Sequence, residues 1–143
     1  MYKRHLEEHI KGLIKQYRCI TLVGPRQSGK TTLSKKLFPE YEYFSFESPD
    51  IQDMFEYDPR GFFQGIKGCA IFDEVQKVPK LLSYLQEILD DKADVRKFIL
   101  TGSNNLKLSH NVSQTLAGRT RILQVLPLQR SELPDAKQKK TLD

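Results

Sequence analysis

At 143 residues, with 38% hydrophobic and 29% charged side chains, the chain has the size and composition of one globular domain with a single core. No apolar run approaches the ~20 residues of a membrane span, the N-terminus lacks the apolar stretch of a secretory signal, and Cys19 and Cys69 read as two reduced core thiols, which suits the cytoplasm. The net charge of +5 comes in blocks: nine Lys/Arg against two Asp/Glu in residues 1–39, five against thirteen in 40–95, and nine against three in 96–143. Basic ends invite a nucleic-acid partner, but no aromatic residues interleave with them, and solvated surfaces of both signs are the plainer reading.

Taken in chain order, Leu6, Ile10, Leu13, Ile14 and Tyr17 fall at helical spacing and predict an amphipathic helix over Leu6 to Tyr17. Cys19 to Val23 is a short β-branched run ending at Gly24-Pro25, the mark of a buried strand meeting a turn. Thr31 to Leu37 predicts a helix, Tyr43 to Phe46 a second strand, and Pro49 to Tyr57 a helix that Asp58-Pro59-Arg60-Gly61 should break. Cys69 to Phe72 is the strongest strand, closed by Asp73-Glu74 and followed by a helical stripe of leucines over Val78 to Leu89. Phe98 to Leu100 predicts a fourth strand ending in the polar turn Thr101-Gly102-Ser103-Asn104. Ser109 to Ala117 reads as a helix that Gly118 ends in the left-handed conformation, and Arg121 to Leu126 as a fifth strand. Strands alternating with helices imply an α/β domain with a mainly parallel sheet covered on both faces. The division expected is an N-terminal helix over 1–18, a core over 19–132, and a tail over 133–143 without periodicity.

Gly24-Pro25-Arg26-Gln27-Ser28-Gly29-Lys30-Thr31 fits G-x-x-x-x-G-K-S/T. The glycines let the backbone wrap a phosphate with no Cβ in the way, successive N–H groups make an anion nest, and the helix that follows adds its positive end. The whole loop and Thr32 are therefore candidate nucleotide contacts. Lys30 is expected as a surface lysine reaching the β- and γ-phosphates, and the Thr31 hydroxyl as a magnesium ligand. Four fixed positions match by chance in roughly one chain in 200 of this length, and a preceding apolar strand with a following helix raises the odds further.

A phosphate loop needs a cation site and a means of activating water. Asp73 and Glu74 stand at the C-terminal end of the strongest strand, where ligands bind in open parallel sheets. Asp73 is placed to hold magnesium and Glu74 to polarise the attacking water as a general base. Ser103 and Asn104, at the end of the fourth strand, are both candidates for contacting the γ-phosphate, and the residues do not choose between them. Glu47, just past the second strand, is a weaker alternative base. Arg119 either complements a helix end or reaches a neighbouring subunit's γ-phosphate, a role that would require a homo-oligomer. His5 to His9 matches the zinc-peptidase spacing H-x-x-E-H without a third ligand and reads as a solvent-facing helix.

Leu22 to Leu33, Ile71 to Pro79, Phe98 to Ser103, Leu116 to Arg119 and Leu126 to Leu128 together resemble a family of prokaryotic AAA-type ATPases often described only as ATP-binding proteins. The resemblance runs from about Lys15 to Leu133. It implies a three-layer P-loop core with strand order 5-1-4-3-2, ATP and Mg²⁺ as ligands, and hydrolysis of ATP. It also implies a second domain, so the chain is expected to be the ATPase core alone. An ATP-dependent switch with negligible hydrolysis and a nucleic-acid module using the basic ends are the alternatives. A small-molecule kinase would carry a lid of several arginines, which the span before Arg119 lacks.

Overall fold

The strands form where β-branched and aromatic residues cluster, and the helices where apolar residues recur every three or four positions. In chain order the elements are α1 (Tyr2–Leu13), β1 (Cys19–Gly24), α2 (Lys30–Leu37), β2 (Glu42–Ser45), α3 (Pro49–Tyr57), α4 (Pro59–Gln64), β3 (Ala70–Asp73), a 3₁₀ turn (Val75–Lys77), α5 (Leu81–Asp90), β4 (Phe98–Ser103), α6 (Leu106–Thr115) and β5 (Thr120–Gln124). They come from a computed structural model that describes residues 2–25, 28–103 and 106–126. The tail expected over 133–143 lies outside the described residues.

The five strands make one sheet in the order β2-β3-β4-β1-β5, every neighbouring pair parallel. Read from the other edge this is the expected 5-1-4-3-2. Side chains alternate along each strand and so sort the core onto two faces. Ile20, Leu22, Ile71 and Ile99 pack with Ile10 and Leu13 of α1 and Leu33 and Leu37 of α2. Val23, Phe72, Phe98 and Leu100 face the other way, onto Phe55, Phe62, Leu85 and Val112 from the remaining helices. Three layers result. Phe72 and Phe98 stack with ring centroids 5.6 Å apart, and each fully buried phenylalanine contributes roughly 1.5–3 kcal/mol. Among the described residues, no helix is long and apolar enough to cross a membrane.

Several boundaries depart from the sequence pattern. α1 ends at Leu13, and Ile14 and Tyr17 stay packed in a tight turn whose amides donate to Ile10 O and Leu13 O. Asp58-Pro59-Arg60-Gly61 does not simply break a helix but starts α4. Pro59 sits where its missing N–H costs nothing, and the Asp58 carboxylate accepts from Gly61 N at 3.1 Å. The leucine helix begins at Leu81, not Val78, because the 3₁₀ turn and a second tight turn through Pro79 precede it. β4 extends through Thr101, Gly102 and Ser103, which pair with Leu22, Val23 and Gly24 of β1, where a polar turn was expected. Gly118 does take the left-handed conformation, at φ 76°.

Candidate functional site

β1 carries the chain to the C-terminal edge of the sheet at Gly24, and the loop after it returns into α2. Gly24 stands against the end of β5. A Cβ there would lie 3.0 Å from Ser28 Oγ and closer still to the Val125 carbonyl oxygen, so only glycine fits. Gly29 turns the chain into α2 with φ 93°, a left-handed conformation that again favours glycine. Lys30 is not the surface residue expected. It is 4% exposed, and its ammonium folds back to donate to Gly24 O at 2.9 Å and Pro25 O at 3.3 Å. The charge therefore lies against the carbonyls of Gly24 and Pro25. The Ser28 hydroxyl is buried with no hydrogen-bond partner among the described residues, a state that normally calls for a ligand or water. Thr32 is exposed on the first turn of α2, while Arg26 and Gln27 lie outside the described residues.

Asp73 ends β3 on the face that carries α2, because it follows Ile71 by two. Thr31 Oγ1 donates to both Asp73 oxygens at 3.0 Å. Tyr43 OH donates to Oδ2 at 2.6 Å, and the Thr101 hydroxyl donates to Oδ1. Thr101 in turn accepts from the Glu74 amide at 3.1 Å. The carboxylate is 5% exposed and is held by three hydroxyls from α2, β2 and β4. Burial first, and Asp73 beside it second, push the Tyr43 hydroxyl above its ordinary range, so it stays a donor. The Lys35 ammonium sits 3.9 Å above the Tyr43 ring and fixes it from the other side.

Glu74 takes φ 60° and ψ 53°, the one non-glycine with positive φ among the described residues. A bulky residue in that region carries backbone strain, of the kind that collects at functional sites. The strain turns the chain from β3 into the 3₁₀ turn and leaves Glu74 8% exposed. Its Oε1 accepts from Gln76 Nε2 at 2.7 Å, and the same Nε2 donates to Ser103 Oγ at 2.9 Å. Ser103 pairs in register with Gly24, so it stands directly beside the start of the loop. The structure thus brings Gly24, Ser28, Lys30, Thr31, Asp73, Glu74 and Ser103 to one end of the sheet.

Oxygen donors from one carboxylate and one hydroxyl suit Mg²⁺, which is seldom caged by protein alone. Thr31 and Asp73 can hold such an ion. Among the described residues no three His, Cys, Asp or Glu converge as a metal site, and His5 and His9 are exposed on α1. The buried Ser28 hydroxyl and the Lys30 ammonium beside it fit a phosphate chain.

A family model described as an AAA domain matches residues 16–133. The chain belongs to that AAA domain family. Two relatives are each 31% identical over 107 residues: the uncharacterized protein Mb2031c of Mycobacterium bovis and the uncharacterized protein Rv2008c of Mycobacterium tuberculosis. The match covers 74% of this chain and 24% of theirs, so the chain spans about a quarter of the length of these relatives. Among solved structures, a point variant of RuvB from Thermotoga maritima superposes with a TM-score of 0.51 at 23% identity, over 73% of this chain and 36% of that one. That likeness concerns the fold.

Two further candidate residues of the AAA domain are placed differently. Glu47 is exposed two residues past Ser45, which pairs with Asp73, so it lies at the same edge of the sheet as the site, on the outermost strand. Arg119 precedes β5, whose first residue pairs with Cys19, so it lies at the opposite edge of the sheet from Gly24. The five-residue rise of β1 separates those edges by roughly 16 Å. There Arg119 donates to Asp90 at 2.6 and 3.2 Å and to Ala117 O at 2.9 Å. The pairing holds the Asp90 carboxyl below its usual range and the guanidinium above its own. Asn104 lies outside the described residues. Tyr43, Thr101 and Gln76 were not singled out from sequence. Tyr43 reads as an ordinary strand aromatic, Thr101 as part of a turn, and Gln76 as one letter of a family motif.

Proposed function

We propose that the chain binds ATP with magnesium and hydrolyses it. Membership of the AAA family points to nucleotide binding. The meeting of Thr31 Oγ1 with both Asp73 oxygens at 3.0 Å carries the finer reading. It joins the phosphate loop to the acidic strand end where a phosphate-bound cation would sit. In this reading the loop amides and Lys30 bind the phosphates, with Ser28 turning its unpartnered hydroxyl to the chain of phosphate oxygens. Thr31 and Asp73 would ligate Mg²⁺, which when bound would neutralise phosphate charge. Glu74 takes a proton from water as the water oxygen bonds to the γ-phosphorus. The bond from that phosphorus to the bridging oxygen breaks, and the electron pair leaves with ADP. Ser103, beside Gly24, orients the γ-phosphate or the water, with Asn104 as the neighbouring candidate.

The base assignment favours Glu74 over Glu47 because Glu74 is buried, strained and hydrogen-bonded to a partner of Ser103. We further take residues 19–132 as the ATPase domain, with the helix of residues 1–18 packed on it and 133–143 as a tail. The two free thiols support a cytoplasmic setting, and Arg119 is assigned to a neighbouring copy in a homo-oligomer. Phosphate release by Glu74→Gln tests the chemistry. Nucleotide affinity should be kept while turnover falls by roughly 100-fold or more, the worth of a general base. Normal turnover by Glu74→Gln together with an inactive Glu47→Gln would move the base to Glu47. No hydrolysis by the parent, with tight ATP binding, would make the domain a switch.

A further inference from the structure

We propose that Gln76 is a positioning residue that ties Ser103 to Glu74, so that the γ-phosphate contact and the general base move as one unit. The proposal rests on the hydrolytic reading above. Its support is the bonding of one side-chain amide. Gln76 Nε2 donates one hydrogen to Glu74 Oε1 at 2.7 Å and the other to Ser103 Oγ at 2.9 Å. Its Oε1 accepts from Ser103 N at 3.3 Å. Both donors and the carbonyl oxygen are engaged, and the three bonds select one orientation. A flipped amide would set its oxygen against the Glu74 carboxylate and its NH₂ against the Ser103 amide, turning two attractions into repulsions.

The bridge crosses 27 residues of sequence between the 3₁₀ turn and β4. The fold makes space for it. A Cβ on Gly102 would stand 3.1 Å from Gln76 Oε1, so glycine on β4 leaves the amide room to lie against the strand. The backbone strain at Glu74 completes the arrangement. A left-handed residue followed at once by a 3₁₀ turn brings residue 76 back over residue 74, which an extended continuation of β3 would not do. Among the described residues, Gln76 is the side chain that holds the Glu74 carboxylate in place. The Glu74 backbone is anchored separately, through Thr101.

A bridging amide makes a pattern of effects that simple packing does not. Gln76→Ala should lower kcat for ATP by up to roughly 100-fold, the cost of misplacing a reacting group by about an ångström. KM and the affinity for a fluorescent ATP analogue should stay within about twofold, because the loop amides and Lys30, which bind the phosphates in this reading, are untouched. Gln76→Ala combined with Ser103→Ala should be no slower than the slower single variant, since both cut one chain. Hydrogen exchange of the Ser103 amide, read in the nucleotide-free protein, should rise about fivefold in Gln76→Ala, as expected for one lost hydrogen bond. Gln76→Glu keeps the shape and the acceptor for Ser103 N but loses both donors. It should retain Ser103 protection and still lose turnover, whereas a merely structural glutamine would be rescued. Gln76→Glu also carries the test if Gln76→Ala does not fold. Parent-like kcat and Ser103 exchange in Gln76→Ala, or effects in the double variant that multiply, would overturn the bridge. Parent-like turnover by Glu74→Gln would instead sink the base assignment, and the exchange measurement would still decide whether Gln76 holds Ser103.

Discussion

Gly24→Ala adds one methyl group at the point where the phosphate loop leaves the sheet. The new carbon would lie 3.0 Å from Ser28 Oγ and 3.4 Å from the Val125 carbonyl carbon, with that carbonyl's oxygen nearer still. Ordinary van der Waals contact begins near 3.4 Å, so something must move by several tenths of an ångström or more. Val125 cannot retreat easily, because its amide donates to Val23 O at 2.8 Å and its side chain is buried in the core. The loop is what gives. Overpacking of this kind costs about 1–3 kcal/mol, and each kcal/mol moves the melting temperature of a chain this size by about 3 °C. The variant should therefore melt roughly 3–9 °C below the parent. Displacing Ser28 and the amides behind it should also weaken a fluorescent ATP analogue by more than about tenfold, the effect of losing ~1.4 kcal/mol of contacts. Thermal melts and a fluorescence titration read both effects. A variant that melts within 1 °C of the parent (~0.3 kcal/mol on this scale) and binds as tightly would show that the loop is not pressed against β5.

Lys30→Ala loses two charge-assisted bonds, to Gly24 O and Pro25 O. Those bonds are worth roughly 1.5–3 kcal/mol each, but removing a buried ion relieves several kcal/mol of desolvation. Stability in urea should stay close to the parent while nucleotide affinity falls by roughly 100-fold or more; intact affinity would mean the loop is no phosphate site. Tyr43→Phe removes the 2.6 Å bond to Asp73 and keeps the ring under Lys35, and should cost about 1–2 kcal/mol in a urea melt. Because the folded tyrosine titrates above its unfolded value near ~10, its contribution is complete below that pH and fades only above it. The loss should therefore be equal at about pH 7 and pH 9, and a smaller loss at the higher pH would refute this placement. Arg119→Ala mixed with Glu74→Gln should recover hydrolysis if the arginine completes a neighbour's site, and parent-like activity of Arg119→Ala alone would leave it as the structural partner of Asp90. Burial pushes the Cys19 thiol up to about 12, so peptide mapping after iodoacetamide at mildly alkaline pH should find it labelled only once the chain unfolds; labelling of the native protein would contradict its buried place in β1.

Local pattern by itself determined the alternation of strands and helices, the place of the phosphate loop between β1 and α2, and the position of Asp73 and Glu74 at a strand end. These are properties of neighbours in sequence. Apolar runs, periodicity and glycine spacing act within a few residues of one another, so they are visible without a fold. The strand order came from family resemblance and not from spacing, since no local pattern says which strand lies beside which. α4 was hidden because Asp58-Pro59 reads equally as a helix break or as a cap followed by a proline in the first turn. The burial of Lys30 is not legible in sequence for a related reason: whether an ammonium points outward or folds back onto Gly24 O depends on how tightly the chain at Gly24 packs against Val125. Tyr43, Thr101 and Gln76 acquire their partners only when β2, β3 and β4 align in register across 27 to 30 residues of chain. Only the tertiary structure decided those contacts, because a parallel sheet joins at one edge residues whose sequence neighbours share no pattern with them.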